Sequence, residues 1–212
     1  MVDLAMRRVK HRLVGGFARW LGRRVGPMPI TLAALAMGLG AAFSAAAGMP
    51  LPALLFWLAN RFADGLDGEV ARARGEACDF GGYVDMMSDV LVYALIPLGI
   101  VYARSEPAVT TAILLMMSAF YMNIASWSYL SALLEKRRSS GAAEAEAAGA
   151  ARAYETSVEM PHGLIEGTET ILVYGLLLGV PGFVVEVAIV AAAAGLISTI
   201  QRVAWAARHL GA

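Results

Sequence analysis

Apolar residues in this chain come in runs of bilayer length, and that feature limits its fold more than any other. Residues 30–47, 52–72, 81–103, 108–133, 163–180 and 183–205 each read as a spanning segment, close to the ~20 residues that a transmembrane helix needs. With 58% hydrophobic residues in a chain of 212, the runs are too many and too long for a soluble domain of this size. The expected fold is therefore all-α: a polytopic membrane protein of six transmembrane helices.

Breaks between the runs fall where turn chemistry predicts them. GMPLP (48–52), RSEP (104–107) and VPG (180–182) separate successive spans, and Pro27 and Pro29 stand before the first, with Thr31 at its start. The first span is rich in Ala and Gly, which lets neighbouring helices pack closely. Residues 1–27 carry no cleavable-signal pattern. Leu13, Phe17, Trp20, Leu21 and Val25 instead lie on one helical stripe, with Arg7, Arg8, Lys10, Arg12, Arg19, Arg23 and Arg24 around it. That pattern predicts an amphipathic helix in the membrane interface, drawn to anionic head groups rather than to nucleic acid. Residues 28–212 then form the transmembrane domain. Within it, the polar Ala/Glu-rich stretch 135–161 reads as a connector, helical on the surface or partly disordered.

Charge fixes the expected orientation. With the N-terminus inside, all but one of the 17 Lys and Arg residues fall in inner segments; the exception is Arg104. The single cysteine, Cys78, excludes an internal disulfide and fits a reducing compartment.

Four aspartates interrupt the apolar pattern at the inner mouths of the second and third spans: Asp64, Asp67, Asp85 and Asp89. An Asp at a helix centre costs about 2.5–3.5 kcal/mol in a membrane, and four together repel one another or take up protons unless a cation neutralises them. Asp64 and Asp67 are three apart, and Asp85 and Asp89 four apart, so each pair shares a helix face. Two helices joined by the short polar turn 72–80 can point these faces at each other. Such oxygen donors suit Mg²⁺ or Mn²⁺, and no His lies near to suggest zinc. Gly68, Ala71 and Gly81 would let a bulky ligand approach the helix backbones, and Arg72 could fork onto a phosphate. Together they describe a diphosphate site.

The spacing D-x2-D-G-x2-A-R-x8-G-x3-D-x3-D over residues 64–89 resembles the signature of the CDP-alcohol phosphotransferase (phosphatidyltransferase) family, with all eight fixed positions present. The resemblance implies that Asp64, Asp67 and Asp85 hold two divalent metal ions, Mg²⁺ or Mn²⁺, and that Asp89 is both ligand and general base. It implies that Gly68, Ala71, Arg72 and Gly81 cradle the CDP group together with Asp64. The implied reaction transfers a substituted phosphate from a CDP-alcohol, CDP-diacylglycerol above all, to an alcohol acceptor with release of CMP. It implies a homodimer as well, working among membrane lipids, in the inner membrane if the source is bacterial, with the site on the cytoplasmic side. One departure stands out: relatives carry a P-N-x-I/L-T-like sequence where this chain has PMPIT (27–31), so Pro29 changes how the first span begins.

Outside the motif the assignments stay open. Glu166 and Glu169, expected on one face of the fifth span, either line an acceptor pocket or lie in the wet interface. Arg202, Asn60 and Arg61 are either phosphate-binding or simple inner anchors. Tyr83, Tyr93 and Trp127 read as packing or interfacial aromatics, and Met86, Met87, Met116 and Met117 as filler. Two other functions compete. A magnesium-dependent membrane prenyltransferase would need a second Asp-rich motif, and residues 108–212 contain no Asp. A divalent-metal transporter would not require Gly68, Ala71 and Arg72 at this spacing.

Overall fold

The computed structural model describes residues 16, 18, 20–147 and 163–210. Among the described residues six helices follow in order: α1 (Pro27–Ala46), α2 (Pro50–Arg74), α3 (Asp79–Ala103), α4 (Pro107–Ala147), the shorter α5 (Gly167–Gly179) and α6 (Val184–Leu210). A 3-10 turn, Pro181–Phe183, joins the last two. Most of the predicted amphipathic helix lies outside the described residues. Of its stripe, Leu21 and Val25 pack with Ala18 against Ile30, Leu66 and Val70.

Among the described residues, four segments are long and apolar enough to cross a bilayer: Pro27–Ala46, Asp79–Ala103, Pro107–Ser140 and Pro181–Leu210. α2 has the length, but its second half carries the charged motif. α5 has only 13 residues, so the expected span 163–180 begins later than its apolar pattern does. Residues 163–166 are not helical; the N–H groups of Gly163, Ile165 and Glu166 donate to side chains instead. The first half of the connector takes the helical one of its two expected forms. α4 continues unbroken through its first half to Ala147, and residues 148–162 lie outside those described.

Helix starts follow proline. Pro27 opens α1 and Pro50 opens α2, both in the first turn, where a missing N–H costs nothing. Pro29, expected to help break the preceding helix, lies inside the first turn of α1 for the same reason. Ends follow glycine. Gly75, at φ +67°, closes α2, and Glu76 N–H reaches back to the Ala71 carbonyl at 2.9 Å. The turn between the motif helices is thus only residues 75–78, tighter than the 72–80 expected.

α1 is the inner wedge. It packs along both α2 and α3, which approach each other far less closely. Its small residues allow this: Ala41, Ala42 and Ala45 are buried, and a Cβ added at Gly99 of α3 would sit 2.6 Å from the Ala42 carbonyl oxygen. α4 and α6 form a second closely packed pair. α5 ties the two groups together, running antiparallel to α2: Gly179 lies beside Leu54, and Trp57 Nε1 donates to the Ile171 carbonyl at 3.3 Å.

The core between the groups is aromatic, with Trp57, Tyr93 and Tyr174 in mutual ring contact and Phe120 against Tyr174. One hydrogen bond there has a covalent cause. Pro97 lies inside α3 and has no N–H to offer the carbonyl four residues back, that of Tyr93. Tyr174 Oη donates to that carbonyl at 2.5 Å. The proline exposes an acceptor in an apolar interior, and a tyrosine from another helix satisfies it.

Candidate active site

The four aspartates gather where α2 ends and α3 begins. Asp64 and Asp67 come from the last three turns of α2, Asp85 and Asp89 from the first three of α3. Asp64 lies close enough to Asp89, Asp85 and Asp67 to feel each of their charges, and Asp85 stands beside it. The paired faces do converge, although α1, rather than direct α2–α3 packing, sets their separation.

Each carboxylate has a different environment. Asp67 is only 4% exposed. Its Oδ2 accepts from Thr31 Oγ1 at 2.6 Å, and its Oδ1 from the Gly68 N–H at 2.6 Å. Thr31, expected to help start the first span, thus works at the motif from another helix. Asp89 accepts a two-pronged bond from Arg61, Nη2 to Oδ1 at 2.5 Å and Nη1 to Oδ2 at 3.1 Å. Asp64 Oδ2 stands 3.6 Å from the same guanidinium.

The glycines separate into two kinds. A Cβ at Gly38 would meet Val92 Cγ2 at 2.3 Å, and one at Gly99 would meet backbone, so helix packing requires both. Gly68 and Gly81 are different. A Cβ at Gly68 would meet only the Arg72 guanidinium, at 3.4 Å, and one at Gly81 only Cys78 Sγ, at 3.5 Å. Neither has a positive φ. Among the described residues no contact requires a glycine at either position, and the space beside them is otherwise open. Arg72 is largely exposed and pairs with the buried Glu69 at 2.8 Å, leaving other N–H groups of its fork facing outward. Ala71 is half-buried beside it. Just beyond, Arg74 hydrogen-bonds Glu76 and holds that exposed carboxyl below its usual range.

The residues considered outside the motif have definite places. Glu166 caps α5, and Glu169 completes a reciprocal capping box with it: Glu166 N–H donates to Glu169 Oε2 at 3.1 Å. The two therefore do not share a helical face, because Glu166 precedes the helix. Counting back from the Trp57–Ile171 contact at about 1.5 Å per residue puts Glu166 level with residues 61–64, at the aspartate end. Arg202 is 3% exposed, far from a surface anchor. It donates to the Asn123 carbonyl at 3.3 Å and to the Asn123 side chain. Among the described residues its Nε has no hydrogen-bond partner. Tyr83 and Trp127 are exposed, Tyr93 packs in the aromatic core, and Met116 is fully buried.

Among the described residues, no three His, Cys, Asp or Glu side chains close into a ready cage for a metal. The hydrogen bonds just described explain why: Asp67 is turned to Thr31 and Asp89 to Arg61. The donor chemistry nonetheless fits a hard divalent cation. Four neighbouring carboxylates offer only oxygen, and one resident guanidinium offsets only part of their charge.

Comparison with known proteins gives a consistent result. Residues 24–197 match the family described as CDP-alcohol phosphatidyltransferase. The chain is 36% identical over 152 residues to the "Inner membrane protein YnjF" of Escherichia coli (strain K12), covering 72% of this chain and 68% of that one. It is 31% identical over 83 residues to the "Bifunctional IPC transferase and DIPP synthase" of Thermococcus kodakarensis. That stretch is 39% of this chain and only 19% of the relative. In fold it is similar to the Mycobacterium tuberculosis phosphatidylinositol phosphate synthase (PgsA1) solved with CDP-DAG bound. There the TM-score is 0.67 at 22% identity, over 91% of this chain and 92% of the other.

Proposed function

The chain belongs to the CDP-alcohol phosphatidyltransferase family, and from that premise we propose that it transfers phosphatidyl from CDP-diacylglycerol to a small polar alcohol. The family activity, transfer of a substituted phosphate in phospholipid synthesis, is that of an integral membrane transferase. The donor lipid, the metal and the residue roles are our reading. The observation that carries it is the gathering of Asp64, Asp67, Asp85 and Asp89 beside two glycines, 68 and 81, that face open space.

In this reading Asp64, Asp67 and Asp85, with Asp89, hold two divalent cations, Mg²⁺ or Mn²⁺. Bound there, such ions supply charge neutralisation for a diphosphate and for the leaving CMP. The chain's own groups do the rest. Gly68, Ala71 and Gly81 leave the width for the cytidine diphosphate to approach the helix backbones, and Arg72 forks onto a phosphate oxygen. Asp89 accepts the proton of the acceptor hydroxyl as its oxygen bonds to phosphorus and the bond from phosphorus to CMP breaks. The diacylglycerol tails stay in the bilayer, because the site opens at the end of membrane helices. Glu166 and Glu169, at the same end, and Arg202 border the acceptor side.

We also place six spans across the membrane, counting α2 and the short α5, with the N-terminus and the site cytoplasmic. Charge supports this, since all but one Lys and Arg then fall inside. A homodimer is the assembly that the family resemblance implies.

The test is CMP release by purified protein in micelles of CDP-diacylglycerol and Mg²⁺ across a panel of acceptor alcohols, with Asp85→Asn as the blank. Acceptor-dependent release absent from the blank is expected. Unchanged transfer by an Asp89→Asn protein that still binds metal would remove Asp89 from the base role.

A further inference from the structure

Arg61 lies outside the aspartate signature, yet its side chain makes contacts on several sides at once. Its side chain is only 8% exposed. The guanidinium lies 4.7 Å from the Trp57 ring centroid and 5.3 Å from that of Tyr93. Its Nε donates to Asn60 Oδ1 at 2.8 Å, and Asn60 Nδ2 in turn donates to the Ala34 carbonyl at 2.8 Å. Its two Nη atoms fork onto Asp89, and one also reaches Tyr93 Oη at 3.3 Å. The cation is thus fixed by α1 through Asn60, by α2 through Trp57 and by α3 through Tyr93. An inner anchor for the bilayer surface needs none of this, and an arginine free to follow a substrate phosphate would not be held on so many sides.

We propose that Arg61 is a positioning residue for the transfer reaction: a resident cation that holds Asp89 in a fixed orientation and limits how strongly the cluster draws divalent ions. The inference rests on reading the cluster as a divalent-cation site. Its physics is simple. A fixed positive charge beside four carboxylates lowers their attraction for a second cation, most of all at the carboxylate it forks. The same fork keeps Asp89 aimed where a flexible, doubly solvated carboxylate would wander. Arg61 thereby separates Asp89 from the three carboxylates it does not fork.

Mn²⁺ binding by the purified protein, followed by electron paramagnetic resonance, tests this beside CMP release. Arg61→Gln is expected to tighten Mn²⁺ binding at least about fivefold, because a repelling charge is gone and Asp89 is freed. CMP release should fall at least about tenfold in the same protein. Arg61→Lys keeps the charge without the fork, so Mn²⁺ affinity should stay within about twofold while release still falls. In an Asp89→Asn background, Arg61→Gln should lower release no further. Thermal unfolding separates this from packing: Arg61→Gln should lose more stability in EDTA than in Mn²⁺, whereas a packing role lowers both equally. Wild-type Mn²⁺ affinity in Arg61→Gln overturns the proposal, and so does equal loss in both conditions. If Arg61→Gln does not fold, Arg61→Lys decides, and wild-type release from it overturns the proposal. If no CDP-alcohol yields CMP, the transfer reading fails, but the Mn²⁺ shift still decides whether Arg61 restrains the cluster.

Discussion

Replacing Thr31 by Val tests the link between α1 and the motif with almost no change of shape. The substitution removes one donor, the hydroxyl that reaches Asp67 Oδ2 at 2.6 Å. Asp67 is 4% exposed, so water has little room to replace the lost bond. A hydrogen bond to a charged group contributes about 1.5–3 kcal/mol, and an unsatisfied buried acceptor costs a similar amount. Asp67 keeps its bond from the Gly68 N–H, which argues for the lower half of that range, about 2 kcal/mol. For a chain of this size that corresponds to a fall in Tm of about 4–8 °C. The assay is thermal unfolding in detergent with EDTA present, followed by tryptophan fluorescence, for wild type, Thr31→Val and Thr31→Ser. If about 1.4 kcal/mol of orientation is also lost at the transition state, CMP release falls about tenfold. Thr31→Ser keeps the hydroxyl and should recover most of both. A Thr31→Val protein within about 1 °C of wild type would refute the reasoning, as would a serine variant no better than valine.

Other predictions follow from the same contacts. Tyr174→Phe should destabilise by about 1–2 kcal/mol by orphaning the Tyr93 carbonyl, and much less in a Pro97→Ala background that restores the helical N–H; a double-mutant cycle reads the coupling. Gly38→Ala should cost about 1–3 kcal/mol, because its Cβ would stand 2.3 Å from Val92 and 3.1 Å from the Asn60 amide that holds Arg61. Gly175→Ala, with nothing within 4 Å, should be neutral or stabilising in the same thermal assay. Glu169→Ala should cost about 0.5–2 kcal/mol through loss of the capping box, measured as a lower Tm. Removing divalent ions with EDTA should abolish CMP release, and Mg²⁺ should restore it.

The membrane character and the order of helices were legible in the sequence because apolar periodicity and length act locally, one segment at a time. The aspartate spacing was legible for the same reason, since residues three and four apart share a face whatever surrounds the helix. Helix limits were less so. Pro29 looked like a breaker but sits in a first turn, where its missing N–H is harmless, and the fifth apolar run forms only 13 residues of helix. The partners of the motif were not legible at all. Thr31 lies 36 residues before Asp67, Arg61 lies 28 before Asp89, and Tyr174 lies 81 beyond Tyr93. No local pattern links such residues; only the packing of α1 against both motif helices, and of α5 against α2, brings them together. Nor could spacing tell Gly38 and Gly99, which neighbouring helices require, from Gly68 and Gly81, which face open space. By itself the sequence determined which groups the chain carries and, within a continuous helix such as those of the aspartate pairs, which of them share a face, because both depend on neighbours in the chain. The tertiary structure alone decided which carboxylate meets a hydroxyl and which a guanidinium, because those contacts cross between helices.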